Sequence, residues 1–257
     1  MFLSLKTLYR KRTVIWPFYF YTIIRTLSKK WLILLLGLFI LGGCGKSSQP
    51  LSEKQAAKLF VESVIYNQSQ KSFEENFVDG SAIVKEMEHS KDGEFSKALV
   101  AQMSQAAAMS NEQAEKLTDS LKQALKTQTS YKIKNIKSKK DNHYLVTYEI
   151  YGVDFIGSVG KALKVSFEKI ANDSAYADNE EKAQELLFNA MNEEIKKAQK
   201  IKDPVEVKID LVQKDGKWDI PSSQQKNIQS LITAFWVGFS DEKDVATALS
   251  QAVVDLY

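Results

Sequence analysis

The chain is poor in the residues that most often carry chemistry. Its 257 residues include one cysteine and two histidines. A single thiol excludes an intramolecular disulfide, and a zinc site would lack its usual donors. We interpret His89 and His143 as solvated side chains, because neither belongs to a recognisable catalytic motif. The sequence therefore predicts no catalytic residues, no metal site and no cofactor, and we expect a protein that is not an enzyme.

Acidic residues are missing from the first 43 positions, which contain seven lysines and arginines. Residues 44–257 consequently hold 28 basic and 32 acidic side chains, a net charge of −4, although the whole chain carries +3. A nucleic-acid-binding domain usually has a basic excess in its folded part, because it must neutralise phosphates. We therefore expect no nucleic-acid partner.

The chain also lacks an apolar run long enough to cross a bilayer near its start. The run Trp31–Leu41 has 11 residues, whereas a membrane-spanning helix needs about 20. Its length, and Lys29 and Lys30 before it, are typical of a signal peptide. We interpret residues 1–43 as that signal peptide. Within it, residues 1–26 are interpreted as lying upstream of the true translation start, with a first membrane segment as the alternative.

The apolar run ends in Leu41-Gly42-Gly43-Cys44, which is a branched apolar residue, two small residues and the only cysteine. This order resembles the bacterial lipobox. The resemblance implies that the Cys44 thiol receives a diacylglycerol and that the peptide is cut between Gly43 and Cys44. Two acyl chains hold a protein stably on a membrane. We expect a lipid-anchored protein on the extracytoplasmic face of the cell membrane. The alternative is a short anchor helix with an incidental buried thiol.

The rest of the chain is expected to form a tether and one domain. Residues 44–51 comprise the lipidated cysteine and a polar tether, and residues 52–257 form a single α+β domain. Ser52 with Gln55, and Ser110 with Gln113, predict helix starts of the capping-box type. The predicted fold has a helical N-terminal half, followed by two antiparallel β-hairpins that form a small sheet. The intervening and C-terminal helices cover this sheet.

The second hairpin, in residues 204–221, has the clearest local pattern. Asp215 and Gly216 predict a two-residue type I′ turn, since both residues tolerate positive φ. Pairing across this turn sets Gln213 opposite Trp218. Trp218 then points to the same face as the alternating apolar residues of the first strand, and that face needs a cover.

Two segments resemble phosphate or calcium sites but lack residues that those sites need. The segment GSVGKA (residues 157–162) lacks the first glycine and the final Ser/Thr of a phosphate-binding loop, and it is interpreted as a turn before a helix. The segment NDSAYADNEE (residues 172–181) lacks the ligand order of an EF-hand. It is interpreted as a solvated acidic loop, with a calcium site as the alternative.

The arrangement as a whole resembles a family of Gram-positive lipoproteins of unknown function. The residues that carry the resemblance are the lipobox, the segment YEIYGVDF (residues 148–155) and the KDGKW hairpin (residues 214–218). The KDGKW hairpin is also distantly similar to those of extracytoplasmic NTF2-like domains. The resemblance implies, by analogy only, a pocket beside the sheet.

Aromatic residues near the C-terminus are the candidate binding residues. In AFWVGF (residues 234–239), Phe235, Trp236 and Phe239 follow an amphipathic helical pattern. Core packing is the simplest interpretation. The alternative is that these residues, with Trp218, form the wall of a site for an apolar ligand or partner.

Three functions remain open from the sequence. The first is a membrane-anchored, non-enzymatic binding or accessory domain that contacts the membrane through the diacylglycerol on Cys44 and binds an unknown protein. The second is a carrier or sensor for a small apolar ligand. The third is a hydrolase of envelope polymers that uses carboxylates. A separate hypothesis concerns the leader, because LGLFILGG (residues 36–43) resembles the apolar peptide pheromones that some Gram-positive bacteria cut from lipoprotein leaders.

Overall fold

The computed structural model describes residues 50–85 and 110–255 of the chain. The first two helices are α1 (Glu53–Val64) and α2 (Gln70–Asn76), and residues 80–85 are also helical. The sheet consists of β1 (Ser130–Ser138), β2 (His143–Tyr151), β3 (Val205–Lys214) and β4 (Lys217–Asp219). The other helices are α3 (Asn111–Gln128), α4 (Phe155–Asn172), α5 (Ser174–Ala177), α6 (Glu180–Lys196), a 3-10 helix (Ser222–Gln224), α7 (Gln225–Val237) and α8 (Glu242–Val254). This α+β architecture confirms the predicted fold class.

Both predicted capping boxes are present. The Ser52 hydroxyl accepts from the backbone N–H of Gln55 at 3.3 Å, and the Gln55 side chain accepts from the Ser52 N–H at 2.9 Å. Ser110 and Gln113 make the same reciprocal pair at the start of α3. These bonds satisfy helix N–H groups that have no partner within the helix. They explain why α1 and α3 begin where the sequence predicts.

The two hairpins combine into one antiparallel sheet of order β1-β2-β3-β4. The second hairpin has the predicted register, with Gln213 opposite Trp218. Its turn residues Asp215 and Gly216 have φ of 48° and 78°, as a type I′ turn requires. The register between β1 and β2 shifts between Ile133 and Asn135. This shift is a β-bulge, which leaves one extra residue on the edge strand.

One face of the sheet is covered by α1, α2 and α7. The largest buried side chains of this sheet core are Phe60, Phe73, Phe77, Tyr148, Trp218 and Phe235. In β2, the side chains of Val146, Tyr148 and Ile150 point into this core. Glu149, between two of them, points to the opposite face. An antiparallel sheet can leave one face in water. None of the described helices covers the opposite face, which we call the uncovered face and which is mostly polar.

A second core lies among helices at the end of the sheet where β1 begins and β2 ends. Helices α3, α4, α6 and α8 pack together there. The largest residues of this bundle core are Leu117, Phe155, Leu163, Phe188, Met191 and Ile195. A buried hydrogen bond of 2.7 Å joins Ser120 of α3 to Asn192 of α6. The domain therefore has two apolar cores, one on the sheet and one in the bundle.

The structure corrects three local predictions. Residues 172–181, predicted as a loop, contain the short helix α5 (Ser174–Ala177). Helix α7 ends at Val237, where Gly238 adopts φ of 77° and closes the helix in the left-handed conformation. Phe239 therefore lies beyond the helix and packs against the bundle core instead of continuing the Phe235 stripe. Residues 157–162, predicted as a turn before a helix, lie within α4 instead. The helical pattern of Phe95, Leu99, Met103 and Ala106 lies outside the described residues.

Candidate functional site

The predicted lipidation and cleavage residues, Cys44 and Gly43, lie outside the described residues. The first residue that the structure describes is Pro50, six positions after Cys44. Within the described part of the chain, no helix is both long and apolar enough to cross a membrane. The position where the tether meets the domain is therefore the nearest described feature to the predicted anchor.

The tether meets the domain at Trp218. The buried indole N–H of Trp218 donates to the carbonyl oxygen of Leu51 at 3.0 Å. Trp218 is 1% exposed, and a buried indole N–H needs such a partner. The Tyr144 ring packs edge-on against Trp218, with centroids 5.3 Å apart. Trp218 thus holds Leu51, the last residue of the predicted tether, on the strand pair that the KDGKW hairpin forms.

Lysines surround this end of the sheet. The β1–β2 turn and the β3–β4 turn lie side by side, because the Gln213 N–H donates to the Asn142 carbonyl at 3.0 Å. The lysines in and beside these turns are Lys137, Lys139, Lys140, Lys214 and Lys217. We call the two turns, residues 137–142 and 214–217, the lysine end. Two aspartates, Asp141 and Asp215, are also exposed there.

Recessed carboxylates hold two of these lysines. Asp219 accepts from Lys214 at 2.6 Å, and this hydrogen bond raises the pKa of Lys214. Asp210 lies 3.5 Å from Lys139 and 3.1 Å from Nδ1 of His143. His143 is therefore half-buried and paired, which corrects the prediction of a solvated histidine. The sequence could not show this pair, because 67 positions separate the two residues.

The four aromatic residues predicted as a ligand wall do not lie on one surface. Trp218 and Phe235 are both buried in the sheet core. Trp236 is partly buried and contacts both cores, whereas Phe239 packs only against the bundle core. The wall as a set of four is thus dispersed, and Phe235 is the member that contacts two partly buried tyrosines, Tyr66 and Tyr131.

Those neighbours form a tyrosine cluster, which we define as Tyr66, Tyr131, Tyr148 and Phe235. The Tyr66 ring packs edge-on against Phe235, with centroids 5.6 Å apart, and stacks on Tyr131 at 6.2 Å. Tyr131 also contacts Tyr148 and Phe235, each at 6.2 Å. Tyr66 and Tyr131 are half-buried. The cluster therefore presents two aromatic rings to solvent above a buried aromatic floor.

The hydroxyl groups of the cluster are hydrogen-bonded and neutral. Tyr148 donates to the Ala57 carbonyl at 2.9 Å, and Tyr66 bonds to the Thr129 hydroxyl at 3.0 Å. Burial raises the pKa of all three tyrosines, and for Tyr131 the nearby Glu62 charge raises it further. The three tyrosines are thus neutral at neutral pH, and the Glu62 carboxylate lies near Tyr131.

The uncovered face of the sheet carries an ion-pair triad. Glu149 and Glu206 are directly opposite each other on β2 and β3, an arrangement that is unfavourable for two like charges. Lys134, the extra residue of the β1 bulge, pairs with both carboxylates. Its hydrogen bond lowers the pKa of Glu206, and the two bonds raise the pKa of Lys134. Within the described ranges, no three His, Cys, Asp or Glu side chains are grouped to hold a metal ion.

Comparison with known proteins assigns the sequence to a protein family. A family model described as a domain of unknown function, DUF5105, matches residues 45–236. The chain belongs to the DUF5105 family. A search of curated proteins finds no match for this family member. The DUF5105 model begins one residue after Cys44 and ends within α7.

A solved structure has a similar fold to this DUF5105 protein. It is the crystal structure of "a putative lipoprotein (ycdA)" from Bacillus subtilis subsp. subtilis str. 168. The sequences are 15% identical, the TM-score is 0.50, and the match covers 70% of this chain. The chain spans 55% of the length of that protein. At this identity the similarity concerns the fold.

Proposed function

We propose that this DUF5105 protein is a lipoprotein, anchored through Cys44 on the extracytoplasmic face of the membrane, whose domain binds a partner without catalysing a reaction. The observation that carries the proposal is the position of Cys44. The family model begins at residue 45, and Trp218 holds Leu51, the residue before the predicted domain. The lipobox-like sequence therefore stands outside the domain, as a removable leader requires. The similar fold of a protein described as a lipoprotein adds support.

The test of the anchor is a fractionation experiment in a bacterium that processes lipoproteins. The wild-type protein should be recovered with membranes and should be digested by protease added to whole cells. The Cys44→Ala variant should lose membrane attachment or accumulate as the uncut precursor. The matched control is Ser47→Ala, which changes the tether but leaves the thiol, and it should behave as wild type. Equal membrane recovery and equal size for Cys44→Ala would refute the anchor.

The carboxylates of the uncovered face support a non-enzymatic role. A hydrolase of envelope polymers needs one carboxyl group that stays protonated near neutral pH to act as general acid. Lys134 lowers the pKa of Glu206 instead, so this carboxyl group is ionised. We expect purified residues 45–257 to leave cell-wall polymers uncut. Cleavage that the Glu149→Gln and Glu206→Gln variants abolish would establish the hydrolase instead.

The tyrosine cluster favours a second function, that of a carrier or sensor for a small apolar ligand. Half-exposed rings above Phe235 offer aromatic contact area, and such rings bind apolar groups with little loss of conformational entropy. Native mass spectrometry of residues 45–257 taken from the source envelope is the test. The carrier function predicts an added mass that is lost on denaturation.

Two tyrosine variants make that test specific to the cluster. Tyr131→Ala should reduce the ligand-bound fraction. Tyr151→Ala is the matched control, since Tyr151 lies at the end of β2 beside Lys132 and Lys200, outside the cluster. A bare mass for the wild-type protein, or equal loss in both variants, would remove the carrier function and leave the partner-binding domain.

A further inference from the structure

Three contacts show in which direction the domain is oriented relative to its tether. Leu51, two residues before the first residue of α1, accepts a hydrogen bond from Trp218. In the middle of α1, the Ala57 carbonyl accepts from Tyr148, and beyond the end of α1, Tyr66 bonds to Thr129. Helix α1 therefore runs from the end of the sheet that carries the two turns to the end where β1 begins. The tether leaves the domain at the lysine end.

The length of the tether then places the lysine end close to the membrane, if the anchor of the proposed function holds. Residues 45–50 span at most about 20 Å when fully extended. Trp218 lies two residues from Gly216, a distance of about 7 Å along the strand. The turns thus lie at the end of the sheet from which the tether leaves, whereas the helical bundle lies at the other end.

The charge of the lysine end has the sign that an anionic lipid surface attracts. The two turns contain five lysines and two aspartates. The side chains of Asp210 and Asp219, which pair with Lys139 and Lys214, are only 15% and 11% exposed. The lysine side chains of the same pairs are 42% and 59% exposed. The carboxylates are thus recessed while the ammonium groups point outward.

The other three of these five lysines have no such carboxylate partner. Lys137, Lys140 and Lys217 make no ion pair with any of the residues that the structure describes. Lysines with free ammonium groups can approach lipid phosphates without first breaking an internal pair. Each lysine near an anionic lipid surface strengthens binding about five-fold.

The charge at the far side of the bundle has the opposite sign. Helix α4 leaves the end of β2 and, with 18 residues, is about 27 Å long. Beyond its C-terminus lie four acidic residues, Asp173, Asp178, Glu180 and Glu181, of which all but Asp173 are exposed. An anionic surface would repel this loop and attract the lysine end, so both charges favour the same orientation.

We propose that the lysine end is a membrane-docking surface that binds the anionic headgroups of the leaflet carrying the anchor. The domain is then held with the two hairpin turns on the lipid and the helical bundle away from it. This inference rests on the proposed function for its geometry, since the anchor brings the two surfaces together. It adds a lipid-binding role for side chains that the family match does not address.

The test couples residues 44–257 through Cys44, the only cysteine, to a maleimide lipid in vesicles. One set of vesicles is phosphatidylcholine, and the other contains phosphatidylglycerol; neither has amines. Each lysine is acetylated with a water-soluble reagent, and its labelling rate is read by mass spectrometry. On the anionic vesicles we expect Lys140 and Lys217 to label at least about three-fold more slowly than on neutral ones, with the difference lost in high salt, which screens the charges.

Matched lysines elsewhere make the comparison quantitative. Lys164 on α4 and Lys182 on α6 are exposed in the bundle, and their labelling rates should not differ between the vesicles. The variant Lys140→Gln/Lys217→Gln should relieve the protection of the remaining lysines of the surface. The variant Lys164→Gln/Lys182→Gln, with the same change in net charge, should not. Equal protection at both ends, or none at either, would overturn the docking surface.

Failure of this inference is distinguishable from failure of the proposed function. Chemical coupling places the anchor on Cys44 whether or not cells do so. Absence of lipid on native Cys44 would refute the anchor, whereas absence of salt-sensitive protection on coupled vesicles would refute the docking surface alone.

Discussion

Lys134 shows how one residue can decide the stability of a sheet face. The β1 bulge adds a residue to the edge strand, and the Lys134 ammonium group pairs with Glu149 and Glu206 across two neighbouring strands. Two carboxylates directly opposite each other repel, so the lysine converts an unfavourable pair into a favourable triad. A single sequence does not reveal this, since Lys134 and Glu206 are 72 positions apart.

We predict that Lys134→Met destabilises the domain at neutral pH and much less at acid pH. Lys134 lowers the pKa of Glu206 below its ordinary 4.5. A lowered folded-state pKa contributes stability above the unfolded value, and this contribution is lost as pH falls through the folded value. Without the lysine, the facing carboxylates repel each other wherever both are ionised. The gap between variant and wild type should therefore shrink between pH 7 and pH 3, as measured by urea unfolding at each pH.

The control for this prediction is another lysine of the same strand. Lys137 is exposed on β1 and has no ion pair with any described residue. The substitution Lys137→Met should change stability little and equally at both pH values. A loss for Lys134→Met that does not vary with pH would contradict the role of the triad.

At the scale of elements, α1 depends on a buried hydroxyl for its position on the sheet. Tyr148 of β2 is fully buried, and its hydroxyl donates to the Ala57 carbonyl of α1 at 2.9 Å. Tyr148→Phe removes this buried bond, although the Ala57 carbonyl keeps its bond within the helix, so we predict a loss of about 1 kcal/mol in the free energy of unfolding. Denaturant titration measures it.

The matched variant for the same helix is Tyr131→Phe. Its hydroxyl contacts the Lys58 carbonyl at 3.4 Å and is partly in water, so its loss should cost less than about 0.5 kcal/mol. If the two variants were equally stable, the docking of α1 would not depend on the buried bond.

Gly152 controls the junction between β2 and α7. A Cβ at this position would lie 1.8 Å from the Ala234 carbonyl oxygen. The backbones of the two elements are therefore too close for a side chain, and we predict that Gly152→Ala costs about 2 to 3 kcal/mol of unfolding free energy. Thermal and denaturant unfolding would show the loss.

Gly160, in the interior of α4, provides the opposite expectation. A Cβ there meets its nearest atom, the Ala252 Cβ, at an ordinary 3.7 Å. Gly160→Ala should stabilise the domain by about 0.5 to 1 kcal/mol, because alanine favours the helix. Destabilisation by Gly160→Ala together with a neutral Gly152→Ala would contradict this description of the packing.

Local signals predict most of the elements, and they fail where the chain leaves a regular pattern. The two capping boxes and the Asp215-Gly216 turn are determined by neighbouring residues, so the sequence alone identifies them. The end of α7 was wrong in the prediction, because the helical spacing from Phe235 to Phe239 ignores the left-handed Gly238 between them. A glycine followed by Phe239 could have been interpreted as a helix stop.

At the scale of the whole molecule, the sequence predicts the architecture better than the candidate site. Alternating strands and amphipathic helices predict an α+β fold, and the structure confirms it. The tyrosine cluster joins Tyr66, Tyr131 and Phe235 from three elements far apart in the chain. The lysine end similarly combines two turns that are distant in sequence. Such sets depend on how elements pack, which residue spacing does not specify.

The orientation of the whole domain relative to the membrane follows from the contacts of single residues. Trp218 fixes the start of the domain at the lysine end, and the bundle extends from the opposite end of the sheet. In this account the tyrosine cluster, beyond the end of α1, is turned away from the lipid and accessible to a partner. All of it depends on one covalent attachment at Cys44.

The most direct test is therefore the intact mass of the protein extracted from the membranes of its source bacterium. The account predicts the mass of residues 44–257 increased by a diacylglyceryl group, with fragmentation placing the group on Cys44. A chain that begins before Gly43, or one that carries a free Cys44 thiol, would contradict it.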